Sequence, residues 1–406
     1  MHQPNIKLRN IYLKRIIPHI RKNYIKVLTG LRRSGKSYLM LSLMDKINTS
    51  DPEANIIYIN KEHYEFDHIR DYHDLQSFFD HKVKVGAKNY LFVDEIQEIS
   101  GFQNCVRNIL SQNLADIYIS GSNADLLSGE LATFLSGRYI EIRVHPLSYV
   151  EFAEFFELDF SDDTFNLFLK QGGLPGLLHV HGGEEPVNDY RKGILSTVLL
   201  KDVVARYNIR NVSFLENLVR YLADNTGSLV SAKNISDYLK SQRIAVSPNL
   251  VLDYLDHLCK AYFVNKVLRK EVAGKKIFEV GEKYYFEDTG LRNTVSAFKP
   301  NDIAGMLENV VHNHLRIAGY EVFVGKKDHK EVDFIAEKDG ETIYVQVCYL
   351  LANESVMERE FGNLLSIHDH YKKFVVTMDK VTAPNTYRGI EHKYIPDFCR
   401  ELTEKL

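Results

Sequence analysis

The chain has 406 residues, 45% of them hydrophobic and 26% charged, which is enough for roughly two or three globular domains with buried cores. Its formal net charge of −3 excludes a surface that coats nucleic acid or anionic membrane wholesale, so any DNA contact must be a local patch. Cys105, Cys259, Cys348 and Cys399 form no C-x-x-C pair, and no stretch approaches the run of about eighteen apolar residues that a spanning helix needs. The expectation is a soluble, cytoplasmic chain with reduced thiols and no membrane partner.

In chain order, residues from about 6 to 24 read as a helix carrying Ile6, Leu8, Leu13, Ile16 and Ile17, ended near Pro18. Ile25-Lys26-Val27-Leu28-Thr29 reads as a short buried strand, and Tyr38 to Met44 as an apolar helical run. Between them lies Gly30-Leu31-Arg32-Arg33-Ser34-Gly35-Lys36-Ser37, which is G-x-x-x-x-G-K-S. Two glycines let the backbone curl so that successive N–H groups meet phosphate oxygens, at a helix N-terminus whose dipole favours anions. Lys36 supplies a compact charge for the β- and γ-phosphates, and the Ser37 hydroxyl suits Mg²⁺.

Asn55–Asn60 reads as the next strand, and a polar, His-rich helical stretch follows to about Val85. Tyr90-Leu91-Phe92-Val93-Asp94-Glu95 is an apolar strand ending in two carboxylates, the Walker B pattern. Asp94 is the candidate Mg²⁺ ligand through water, and Glu95 the group that orients or deprotonates an attacking water. A helix from about Phe102 to Leu114 leads into Asp116–Asn123, a strand ending in small polar groups. Asn123, with Ser120 second, is the candidate for sensing the γ-phosphate or holding the water; the plainer alternative is an ordinary strand exit. Arg138 opens a fifth strand. It reads either as an arginine finger or sensor, within the chain or across a subunit boundary, or as a surface salt bridge. This strand–helix alternation predicts an α/β domain with a mainly parallel sheet and its ligand beyond the carboxyl ends of the strands.

With these residues in view, the sequence resembles the bacterial and archaeal AAA-type ATPases that carry a C-terminal domain of unknown function with a nuclease-like core. The resemblance rests on the Gly30–Ser37 loop, Phe92-Val93-Asp94-Glu95-Ile96-Gln97, Ile119-Ser120-Gly121-Ser122-Asn123, Leu135-Ser136-Gly137-Arg138 and Pro146-Leu147-Ser148-Tyr149-Val150-Glu151-Phe152. It implies ATP as the nucleotide, a role for Arg138 near the phosphates, and a helical lid around Gly172-Gly173-Leu174-Pro175-Gly176.

The rest of the chain divides by pattern. Residues 147 to about 210 read as helical, with Phe152, Phe155, Phe156, Phe165, Leu167 and Phe168 giving apolar faces suited to core packing. Three short helices follow, at Phe214–Asp224, Ala232–Leu239 and Ser247–Lys260, then a hairpin about Ala273-Gly274, which together suggest a winged helix. The third helix carries Asp253 and Asp256 and almost no base-reading cations, whereas the hairpin carries Lys266, Arg269, Lys270, Lys275 and Lys276. Two readings stand side by side: phosphate contact through the wing, or a protein-packing module with a solvated basic hairpin.

In the last segment, a helix-borne Glu308, a strand Asp333 and the following strand at Gln346-Val347-Cys348 follow the layout of metal-dependent nucleases of the restriction-enzyme type. A neutral amide at Gln346 and a thiol at Cys348 stand where a carboxylate and a lysine would bind metal and polarise water. A nuclease-like fold without its catalysis is therefore expected. The predicted architecture is α/β: a P-loop NTPase core of AAA/ASCE type over 1–150, a helical lid over 151–212, a winged-helix module over 213–300, and a nuclease-like α/β domain over 301–406.

Three functions follow. The first is an ATP-hydrolysing, Mg²⁺-dependent protein whose C-terminal modules bind a partner, double-stranded DNA among the candidates. The second is a slow, ATP- or ADP-gated switch acting on a protein partner. The third, disfavoured by Gln346 and Cys348, is an ATP-fed nuclease. An Arg138 acting across subunits would imply a homo-oligomer.

Overall fold

Five strands alternate with helices along the first third of the chain: β1 (Ile25–Thr29), β2 (Asn55–Asn60), β3 (Asn89–Asp94), β4 (Asp116–Gly121) and β5 (Tyr139–Arg143). The coordinates are a computed structural model and describe residues 7–127, 137–244, 246–272, 277–327, 329–380 and 385–404. The strands form one parallel sheet in the order β2-β3-β4-β1-β5. Every residue of β1, β3 and β4 is buried, which is why they read as continuous apolar runs rather than alternating ones. One face packs Leu75, Phe79, Val106 and Ile109 against Val27, Val93 and Ile119. The other packs Tyr12, Leu39, Met40 and Leu43 against Leu28, Phe92 and Tyr118. Helices α1 (Asn10–Ile16), α2 (Lys36–Ser50), α3 (Tyr72–Lys82) and α4 (Phe102–Ser111) supply these faces. The helix expected from about 6 to 24 is shorter: a 3₁₀ turn at Ile17–His19, with Pro18 inside it, ends α1.

The chain divides into two compact units, 1–145 with 260–262, and 146–259 with 263–406. In the second, β6 (Val264–Glu271), β7 (Ile277–Phe286), β8 (Glu321–Lys327), β9 (Lys330–Lys338), β10 (Glu341–Cys348), β11 (Lys372–Thr377), β12 (Thr386–Tyr387) and β13 (Ile390–Tyr394) form one mixed eight-stranded sheet. The hairpin β6–β7, expected as a wing, is the edge of this sheet, because β6 pairs with β8 through Arg269↔Val324 and its neighbours. It follows three helices, Val212–Asp224, Ala232–Ser241 and Pro248–Lys260, and an isolated bridge joins Val230 to Glu282 on β7. The phenylalanine-rich helices Tyr149–Phe156 and Asp162–Gln171 share one core with the helix Ile303–Ile317 and with Phe334, Val345 and Phe374 of the sheet. A capping box in which Ser148 and Glu151 bond reciprocally starts the first of them. The helix Glu354–Leu365 covers the opposite face of the sheet with Phe361 and Leu364. Among the described residues no helix is long and apolar enough to cross a membrane.

Candidate nucleotide-binding site

Parallel strands bring their carboxyl ends to one edge, and there the loop between β1 and α2 turns. Gly30 at φ +137° and Gly35 at φ +100° adopt backbone that side chains resist. A Cβ on Gly30 would lie 2.2 Å from the Val144 carbonyl oxygen, so no larger residue fits without moving β5's exit. Lys36 donates to the carbonyls of Gly30 (2.9 Å) and Leu31 (3.1 Å), so its ammonium lies folded against the loop it opens from. Arg9, from the turn before α1, donates to the carbonyls of Ser34 (2.9 Å) and His145 (2.8 Å) and ties the loop to the rest of its unit. Arg32 pairs with Glu62 beyond β2 at 3.1 Å. The Ser34 hydroxyl is buried with no hydrogen-bond partner among the described residues. An orphaned buried donor inside a glycine-hinged loop at a helix N-terminus fits a bound phosphate chain.

The Walker B carboxylates sit beside this loop at the carboxyl end of β3, next but one to β1, Asp94 closing the strand and Glu95 following it. Asp94 accepts a hydrogen bond from Ser120 of β4, and Ser37 also bonds to it. Burial raises the Asp94 pKa against these hydrogen bonds. Pairing of a hydroxyl and a carboxylate, both hard oxygen donors, fits Mg²⁺. Glu95 has left-handed backbone, φ +55°, a strained conformation fixed by its N–H donating to Ser120 Oγ at 3.1 Å. Its carboxylate accepts from the Gln97 amide and from Ser122 Oγ at 3.3 Å. Burial opposes its ionisation, yet Lys36, Arg32 and these two hydrogen bonds hold its pKa below the usual value. Glu95 is thus kept as a carboxylate, the form a base needs.

Asn123 follows β4 at the same edge and is buried; its side-chain oxygen caps the turn Ala124–Leu127 by accepting from Asp125 N–H at 2.7 Å. Ser120, expected only as a second water-holding group, instead braces both Asp94 and Glu95. Gln97 and Arg9 join the site from outside the candidate residues. Gln97 carries a signal, since it lies two residues after Glu95; Arg9 lies outside every motif.

Arg138 requires a correction. Opening a parallel strand puts a residue at the amino edge of the sheet, not at the nucleotide edge. The Arg138 carbonyl accepts from Ile25 N–H at 3.0 Å, and Tyr139 pairs with Ile25 at the start of β1. The length of β1, about 16 Å at the usual rise per residue, separates that edge from the loop. Arg138 is solvent-exposed there and does not meet the phosphate loop of its own chain.

The C-terminal expectations are partly gathered together. Glu308, Asp333 and Gln346 converge, and Glu331, Glu360, Tyr285 and Lys283 join them. Cys348 points elsewhere, donating to the Leu350 carbonyl at 3.3 Å. Of the basic hairpin residues, Lys266 pairs with Glu282 at 3.4 Å and Lys270 with Glu337 at 2.6 Å. Arg269 is half-buried, its Nε without a partner among the described residues. Lys275 and Lys276 lie outside the described residues.

The family model of the AAA domain matches residues 22–153, and that of a domain of unknown function (DUF8612) matches residues 162–302. An uncharacterized protein of Haemophilus influenzae is 36% identical over 397 residues, covering 96% of this chain and 98% of its own. Another, from Methanocaldococcus jannaschii, is 31% identical over 369 residues, covering 87% and 79%. Among solved structures, the Walker-type ATPase of Pyrococcus abyssi matches 73% of this chain and 99% of its own length, at TM-score 0.49 and 17% identity. The chain belongs to a family of AAA-type P-loop ATPases that carry a second domain of unknown function.

Proposed function

We propose that the protein binds and hydrolyses ATP with Mg²⁺, and that its second unit engages a macromolecular partner. The observation that carries this reading is the carboxylate of Glu95, buried yet kept ionised beside Lys36 and Arg32 at the edge where the phosphate loop opens. A site built only to hold nucleotide needs no such base. Gly30–Ser37 would cradle the phosphates through backbone N–H groups, with Lys36 neutralising the β- and γ-oxygens. Ser37 and Asp94 would hold Mg²⁺, which supplies charge neutralisation on the phosphates when bound. Asn123 suits a group that senses the γ-phosphate. Because Arg138 stands at the far edge, any part it takes in hydrolysis is across a subunit boundary, in a homo-oligomer.

The test is phosphate release from ATP for wild type and Glu95→Gln, with and without double-stranded DNA. The variant is expected to keep ATP binding and lose turnover by about 10²-fold or more, the scale of general-base loss. Equal turnover would remove Glu95 from its role. DNA-stimulated release would identify duplex DNA as the partner.

A second reading, a slow nucleotide-gated switch acting on a protein partner, draws support from the hairpin. Lys266 and Lys270 already face Glu282 and Glu337, so phosphate contact there would require breaking both pairs. Stoichiometric ADP on purified protein, with negligible turnover whether or not DNA is present, would favour this switch.

A further inference from the structure

The layout of Glu308, Asp333 and the strand of Gln346 implies a divalent metal, and the residues present do not fit one. Lys283, reaching in from β7, sets its ammonium 2.9 Å from Glu331, 3.1 Å from Glu308 and 3.5 Å from Asp333. The lysine side chain is 3% exposed, so these carboxylates replace its water rather than screen it at a distance. Further hydrogen bonds hold two of these carboxylates. Asp333 Oδ2 accepts from Val347 N–H at 2.8 Å, and Glu308 Oε2 accepts from the Tyr285 hydroxyl at 2.9 Å. Gln346 turns its amide to Glu360 at 3.0 Å, and Arg359 holds the other Glu360 oxygen at 2.7 Å. Among the described residues no group of three or more His, Cys, Asp or Glu side chains is placed to hold a metal ion.

We propose that the ammonium of Lys283 is the resident cation of this acidic pocket, standing where a divalent metal would otherwise sit, so that the C-terminal sheet works without metal and does not cut phosphodiesters. Three carboxylates converge on one nitrogen, those of buried Asp333 and of part-buried Glu308 and Glu331, and form a cation site by their own charge. The amine supplies the positive charge and three donors, one for each carboxylate. A metal bound by these carboxylates would have to displace the Lys283 ammonium. Removing only the amine frees the hard carboxylate oxygens that faced it, donors of the kind that Mg²⁺ or Mn²⁺ takes.

The experiment measures Mn²⁺ binding, by electron paramagnetic resonance, to the full chain without nucleotide. All proteins carry Asp94→Asn, so that the phosphate-loop side takes up no metal. The parent is expected to bind no Mn²⁺ in the pocket. Lys283→Met should bind one ion per chain at least about tenfold more tightly than any residual, non-pocket binding by the parent, a gap readily resolved. Adding Asp333→Asn should abolish that gain, and Lys283→Arg, which keeps a cation, should not show it. A folded Lys283→Met protein that binds no better than the parent overturns the proposal, as does a parent that binds Mn²⁺ and loses it with Asp333→Asn. Should Lys283→Met not fold, the parent's melting temperature with Mn²⁺ and with EDTA still decides. Equal values support the resident amine, and a Mn²⁺-dependent rise abolished by Asp333→Asn refutes it. Wild-type protein should leave supercoiled plasmid intact in Mg²⁺ or Mn²⁺, and nicking lost with Asp333→Ala would equally refute it.

Discussion

Ser120 is small, fully buried and bonded to both Walker B acids, so its loss is felt at two points. Ser120→Ala removes a charge-assisted bond to Asp94 and leaves the Glu95 N–H buried without an acceptor, each costing about 1–3 kcal/mol. The variant is expected to unfold at lower denaturant and to hydrolyse more slowly, with the larger loss in kcat, because Glu95 loses the anchor of its strained backbone. Unchanged kcat with lowered stability would make Ser120 a packing residue only. Gly30→Ala is a sharper case. The added carbon would meet the Val144 carbonyl at 2.2 Å in backbone that alanine resists, so nucleotide binding should fall to background in a fluorescence titration.

At the scale of an element, the helix Ile303–Ile317 shows how one buried histidine ties segments together. His314 donates from Nδ1 to the Val310 carbonyl at 2.8 Å, and its Nε2 accepts from Tyr149 N–H at 3.0 Å. That arrangement requires neutral imidazole. Burial drives its pKa down to about 4, against a raising influence from the Val310 carbonyl and Glu151. Because the folded value lies below the unfolded one near 6.5, the unfolded chain binds the extra proton between these values. Stability from this group is therefore complete above about pH 6.5 and lost as pH falls toward 4, by about 3 kcal/mol. Asp288 acts with the opposite sign. Buried, accepting from Gly173 and Leu291 N–H groups, it has its pKa raised to about 6, so its contribution is present at low pH and lost as pH rises through 6. Urea unfolding at several pH values should show His314→Gln losing the acid-side decline that wild type retains. An unchanged pH profile in that variant would contradict this account.

For the whole molecule, the placement of Arg138 makes a statement about assembly. If it stabilises transferring charge, it must do so on a neighbouring copy. Arg138→Ala and Lys36→Ala should then each be inactive alone and recover measurable ATP turnover when mixed, because some interfaces combine an intact lysine with an intact arginine. No recovery on mixing, together with an active Arg138→Ala protein, would return Arg138 to the role of an exposed surface cation.

What the sequence determined was whatever depends on local pattern. Continuous apolar strands, a glycine-hinged loop with Lys36 and Ser37, and carboxylates at the end of β3 are set by neighbours in the chain. They were legible as a parallel α/β core with its candidate phosphate site at the carboxyl edge. Tertiary structure decided whatever depends on long-range pairing. Lys26, inside an apparently apolar strand, is wholly buried, and it is tolerated because Asp116 of β4 meets it across the sheet. The basic hairpin read as a wing, yet the pairing of β6 with β8 makes it the edge of a larger sheet, and that pairing has no trace in hairpin periodicity. Lys283 belonged to no motif. It acquired its meaning only when β7 brought its ammonium to carboxylates on a helix and a strand far along the chain. Local residues specify elements and phosphate chemistry because backbone geometry is a neighbour effect, whereas the charge environment of a buried group is set by what the fold carries to it.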